Sequence, residues 1–237
     1  MTQQEIEILL KQEVGIVKEI IALKPLKELP KDIPCYEGVA IPGLCTMIGE
    51  VLTNPAVTYS VRENHQCYEG LIATGVCDVS REEFREAVET WNDMCPYHKD
   101  IDTAMAFYEK CLETIPAPPV QYSCLVCGPL SKVADPDLVV IFCTPHQSEI
   151  FNRAQSYLGN IVKSYGGNGG CIFNLRGPFL TRQPTYSTSD FPWRTFVGLE
   201  DHEMTVIYPY ERLVEIAPYI KSITDYVGTL KSMFAGQ

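Results

Sequence analysis

Cys45, Cys67 and Cys171 are the residues of this sequence best placed to do chemistry together, because they recur at matching points of two similar stretches. CTMIGEVLTNPAVTYSVRENHQC runs from Cys45 to Cys67, and CIFNLRGPFLTRQPTYSTSDFPW runs from Cys171 to Trp193, over an equal length of chain. Each opens with a cysteine heading an apolar run, carries a Thr-Tyr-Ser triplet (58–60 and 185–187) and continues to a glycine, Gly75 or Gly198. If the two stretches share a fold, Cys45 faces Cys171 and Cys67 faces the Trp193 loop. Three thiolates about one centre suit an iron–sulfur cluster or a soft metal ion. The expected cofactor is a [4Fe–4S] cluster whose fourth iron, lacking a thiolate, is open to act as a Lewis acid or to hold sulfide. Zinc is the lesser alternative, as a Cys₃His site with His65. Cys45 and Cys171 each head a prospective helix, where the positive end of the backbone dipole favours thiolate.

Around the vacant corner the sequence offers His65 to move a proton near neutral pH and Asp190 as a carboxylate. Arg194 offers a two-pronged clamp for a carboxylate or phosphate, and Trp193 a wall against solvent. Gly169 and Gly170 close the run Gly166-Gly167-Asn168-Gly169-Gly170, whose backbone can approach a ligand closely. No strand leads directly into that run and no Lys-Ser/Thr follows it, so it is not a phosphate-cradling P-loop. Other thiols are weaker candidates. Cys124 and Cys127 have C-x-x-C spacing but lie on a prospective strand, where residues three apart point to opposite faces. Cys95 and His98 share a loop at a helix end, Cys35 is the reserve fourth ligand, and Cys111 and Cys143 sit in apolar runs as core residues.

These residues must be held by regular elements. Ile6, Leu9, Leu10, Val17, Ile20 and Ile21 recur at helical spacing and predict an amphipathic first helix that Pro25 ends. A proline-rich lead-in follows, then a short helix over 45–52 and a strand over 57–61. Ser80 and Glu83 form a capping box that predicts a helix to about residue 92. Another helix starts at Asp100 or Asp102 and reaches about Thr114. Pro116, Pro118 and Pro119 mark the boundary between segments 1–115 and 116–237. Residues 121–127 and 138–143 read as buried strands, and Thr144-Pro145-His146-Gln147 caps a helix over 146–163. A strand over 204–208 and a helix over 210–234 complete an α/β or mixed α+β chain, one compact unit of two related halves with a site at their seam.

The totals bound the function. With 237 residues, 46% hydrophobic and 21% charged, the chain can bury a substantial core. A net charge of −11 opposes a phosphate backbone or an anionic membrane surface, which excludes nucleic acid and membrane as partners. The N-terminus lacks the features of a secretory signal and no run has the length of a membrane span, so a cytoplasmic protein is expected. In that reducing setting ten cysteines point to metal or thiol chemistry rather than to disulfides.

Three stretches, GLCTMIGEVLTNPAVTYSVRENHQCYEG, GPLSKVADPDLVVIFCTPHQ and GGCIFNLRGPFLTRQPTYSTSDFPWRTFVG, together with VIYPYERL, span about residues 43–215. In order and spacing they resemble a family of anaerobic prokaryotes known as domain of unknown function 169. The resemblance implies a shared fold and leaves the chemistry to the residues. Family members carry a cysteine in the loop after the second Thr-Tyr-Ser-like segment, where this chain has Ser-Thr-Ser-Asp-Phe-Pro-Trp-Arg, so a complete four-thiol site is not carried over. The expected function is an iron–sulfur protein acting on a small polar substrate or a sulfur species, as in a lyase or sulfur-transfer reaction. One alternative is a binding module in which the glycine run and the Thr144 helix start hold an anionic metabolite or nucleotide. The other is a structural zinc protein. The oligomeric state is left open, a homodimer included.

Overall fold

A computed structural model describes residues 1–38, 43–94, 97–164 and 170–234. Its centre is a six-stranded antiparallel sheet in the order β2-β3-β1-β4-β6-β5. The strands are β1 (Ile21–Leu26), β2 (Thr58–Ser60), β3 (Cys124–Pro129), β4 (Leu138–Cys143), β5 (Thr185–Ser187) and β6 (Met204–Pro209). β4, LVVIFC, is buried at every position, as a strand covered on both faces must be. Its alternate residues serve two different cores. Val139, Ile141 and Cys143 pack with the N-terminal helix α1 (Gln3–Leu9) and with α6 (Pro145–Tyr157) and α9 (Tyr210–Phe234). Leu138, Val140 and Phe142 pack with α2 (Leu44–Thr53), α3 (Glu69–Ala73) and α8 (Phe191–Val197) on the opposite face. The fold is therefore helix, sheet, helix in three layers, and the candidate cysteines belong to the second helical layer.

The first element departs from expectation. α1 continues as a π turn over Leu10–Val14, and Gly15 in a left-handed conformation ends it. Gln147 of α6 donates its side-chain amide to the Val14 and Gly15 carbonyls and seals that end. Val17 is 93% exposed, and Ile20 and Ile21 leave the helical stripe, Ile21 to open β1. Pro25, expected as a helix terminator, lies inside β1, beyond the Ile21–Leu23 segment that pairs with β4. A proline's missing N–H is tolerated where a strand is paired on one side only.

Both Thr-Tyr-Ser triplets form short strands, and they are the two edges of the sheet. β1 lies between β3 and β4, so residues before and after 115 share a single sheet. The Thr144 capping box is present, with Gln147 N–H donating to Thr144 Oγ1 at 3.2 Å, but α6 stops at Tyr157 and Gly159 follows with positive φ. Antiparallel helices α4 (Arg81–Met94) and α5 (Ile101–Thr114) pack on each other through a small cluster of their own, centred on Val88, Ala104 and Met105. No helix of the described residues is long and apolar enough to cross a membrane.

Candidate thiol site

Two close approaches bring Cys45 beside Cys67. The start of α2 is set by Thr46, whose hydroxyl accepts from the Gly43 N–H at 2.9 Å. That leaves Cys45 in the first turn, and backbone N–H groups of Cys45 and Thr46 act on its sulfur. A Cβ on Gly43 would stand 3.2 Å from Cys67 Cβ and 3.8 Å from Cys45 Sγ, so the glycine is the spacer between the two cysteines. Gly70 on α3 does the same for the helix axes, since a Cβ there would lie 2.5 Å from Leu44 Cβ. The third cysteine arrives through Asp190. Its carboxylate caps α8 by accepting from the Trp193 N–H at 2.9 Å, and it also accepts from the Gly170 N–H at 2.5 Å. One side chain thus ties the helical turn that carries Cys171 to the helix that carries Trp193.

Cys45, Cys67, Cys171 and Trp193 all line one cavity of about 350 Å³, with Gly170 and Asp190 on its wall. The α4–α5 hairpin roofs it with Trp91, Phe107 and Tyr108, and Phe196 of α8 adds to the aromatic lining. Glu69, two residues after Cys67, also faces the cavity. None of the described cysteines is in a disulfide.

The cavity is rich in groups that are anionic when ionised and poor in cations to balance them. Burial pushes the Cys45 thiol up to about 12, and the nearby Asp190 and Glu69 add to the effect. Burial raises Cys67 and Cys171 well above the ordinary thiol range; Glu69 and Cys45 raise both further, and Cys67 adds to the effect on Cys171. Burial, with Asp190 beside it, pushes Glu69 up to about 7, against an opposing hydrogen bond from the Tyr108 hydroxyl. Arg176 opposes this at Glu69, but less than any other influence on it, so these groups hold their protons. A multiply charged cation would reverse that and draw them into the ionised, ligating form.

The remaining candidates occupy other roles. His65 is 4% exposed, packs near Tyr36 and does not line the cavity. Burial pushes it down to about 4, so its ring is neutral at pH 7 and does not serve as the proton carrier expected of it. Neither ring nitrogen has a well-formed hydrogen bond, although the Cys67 backbone acts on the ring. Arg194 is committed to backbone: its guanidinium donates to the carbonyls of Thr188 (2.8 Å), Glu203 (2.9 Å) and Glu200 (2.5 Å) and closes the loop after α8, so it is no anion clamp. Trp193 lines the cavity, with its indole N–H on Thr205 Oγ1 at 3.1 Å. Cys35 donates to Asn64 Oδ1 at 3.2 Å and is absent from the lining, so the reserve fourth ligand is elsewhere. Cys127 is buried in the core on the sheet face beneath α2, separate from Cys124, whose thiol donates to the Glu28 carbonyl. His98 lines the cavity, whereas Cys95 and Gly169 lie outside the described residues.

Glu69, Trp91, Phe107, Tyr108 and Phe196 are among the lining residues that escaped the sequence reading. Glu69 carried a signal in standing two positions from Cys67. Tyr108 carried none, because it reaches the cavity only by the folding of the hairpin. Among the described residues no group of three or more His, Cys, Asp or Glu side chains is arranged to hold a metal ion.

A family model, DUF169, described as uncharacterised ArCR, matches residues 9–218. No curated protein and no solved structure matches the chain.

Proposed function

The chain belongs to the DUF169 family, and from that premise we propose that its thiol-lined cavity holds a [4Fe–4S] cluster through Cys45, Cys67 and Cys171. The observation that carries the reading is the meeting, at one cavity, of three cysteines from separate parts of the chain, beside two carboxylates and under an aromatic roof. When bound, such a cluster supplies one iron with an exchangeable coordination position, able to polarise an oxygen or hold a sulfur species. Glu69, with an affinity for protons near neutrality and a hydrogen bond from Tyr108, is positioned to take a proton from a small polar substrate or return it. Asp190 is a positioning residue, since both its oxygens are engaged by backbone N–H groups. Trp91, Trp193 and Phe107 give the cavity an aromatic wall against which a small substrate can pack. The reaction class that fits is lyase or sulfur transfer on a small substrate. The zinc alternative requires His65, which lies outside the cavity. The anion-binding module relies on the glycine run, of which residues 166–169 lie outside the described residues, and on the Thr144 helix start, where the Thr144 and Gln147 N–H groups are already engaged by each other's side chains.

The test is oxygen-free purification with iron and sulfide reconstitution. A brown protein with equal iron and acid-labile sulfide is expected, losing most of both in Cys45→Ser, Cys67→Ser or Cys171→Ser while Cys143→Ser retains them. A colourless protein, or iron unchanged in all three variants, overturns the reading.

A further inference from the structure

A second cavity of about 270 Å³ adjoins the first, sharing Glu69 and Tyr108 with it. Its walls are largely apolar, from Ile72, Phe84, Met105, Leu112 and Ile172, and Arg176 stands among them. Arg176 ends the π turn Ile172–Arg176 and is only 2% exposed. One of its terminal nitrogens donates to the Ile115 carbonyl at 3.0 Å, and its Nε has no hydrogen-bond partner. No carboxylate among the described residues makes an ion pair with it: Glu69 acts on it only at a distance, and Glu109 is paired with Arg81 at 2.7 Å. A guanidinium stays charged in a protein, and a buried charge without a counter-ion is strongly unfavourable. Glu69, Asp78, Arg81 and Glu109 also line the chamber, but none is ion-paired with Arg176, and a buried cation without an ion pair beside a largely apolar surface is the chemistry that recognises an anion with an apolar body.

We propose that this second chamber binds a small organic carboxylate, its head on the Arg176 guanidinium and its apolar tail against Ile72, Phe84, Met105 and Leu112. The site is built from residues other than the cysteines, so it stands or falls independently of the cluster. Calorimetric titration of the full chain with hexanoate and benzoate, against hexanol and benzyl alcohol as uncharged matches and inorganic phosphate as a bare anion, tests it. At least one carboxylate should bind one to one, at least tenfold tighter than its alcohol and than phosphate. Arg176→Met should weaken it at least tenfold, with Arg176→Lys between. Should Arg176→Met fail to fold because the Ile115 carbonyl loses its donor, Leu112→Trp, which fills the chamber from its rim, must weaken binding with Arg176 intact. Equal binding of acid and alcohol, no binding of either carboxylate, tighter binding of phosphate, or undiminished binding to folded Arg176→Met or to Leu112→Trp overturns the proposal. Cys67→Ser should bind the carboxylate as the parent does, so that failure here and failure of the cluster are read separately.

Discussion

His65 and Glu69 sit close to the same cysteine and are perturbed in opposite senses with respect to pH. His65 has an affinity for protons lower when folded, about 4 against 6.5, so the unfolded chain binds more protons between those values. Its contribution to stability is complete above about pH 6.5 and is lost as pH falls toward 4, by roughly 1.4 kcal/mol for each pH unit between them. Glu69 is raised, to about 7 from 4.5. The folded chain holds its proton longer, and stability contributed by the neutral carboxyl is lost as pH rises through 4.5 toward 7. In the metal-free protein the two slopes oppose each other, and single variants separate them. Thermal melts from pH 4 to pH 7.5 should show His65→Leu relieved of acid destabilisation and Glu69→Gln relieved of the loss on the neutral side. Parallel pH profiles for parent and variants would contradict both assignments. Trp193 shows how far residue type alone could be read: the spacing match singled it out and it lines the cavity, but its donation to Thr205 depends on β6, twelve residues further along the chain.

At the scale of elements, the site depends on helices that approach too closely for ordinary side chains. A Cβ on Gly49 of α2 would overlap the Phe196 carbonyl of α8, and one on Gly170 would stand 2.8 Å from Asp190 Oδ2. Gly49→Ala should separate α2 from α8 and destabilise by about 1–3 kcal/mol, the usual range for overpacking, as read from urea unfolding. Gly170→Ala should displace Asp190 and lower iron retention more than it lowers stability. Unchanged iron in a folded Gly170→Ala protein would show that the Asp190 tie does not position Cys171. Helix starts and the central strands were legible because capping residues and continuous β-branched runs act locally: Thr144 with Gln147 and residues 138–143 fold as their chemistry dictates. The first helix misled because Ile20 and Ile21 continue the helical spacing by coincidence, while Gly15 and the sheet's demand for a central strand take them out of it.

For the whole molecule, the two main cores share one sheet while the α4–α5 hairpin rests on a small cluster of its own. Local opening follows local packing, so the hairpin should exchange its amide hydrogens well before β1 and β4 do, opening the roof of the cavity while the sheet stays closed. Hydrogen exchange read by mass spectrometry checks this; equal protection of α5 and β4 would argue against a movable roof. The three-layer architecture was readable from the sequence as an α/β unit. The antiparallel order, with β1 between strands from the far side of residue 115, was not, because it rests on pairings distant in sequence. Cys45, Cys67, Cys171 and Trp193, which the matched spacing singled out, line one cavity, whereas the chamber around Arg176 left only the trace of a single charge in an apolar run. The central claim is tested most directly by anomalous scattering at the iron edge from crystals grown without oxygen after reconstitution. Iron density lying between the sulfurs of Cys45, Cys67 and Cys171 is the predicted result; density elsewhere, or none in a protein that has taken up iron, would contradict it.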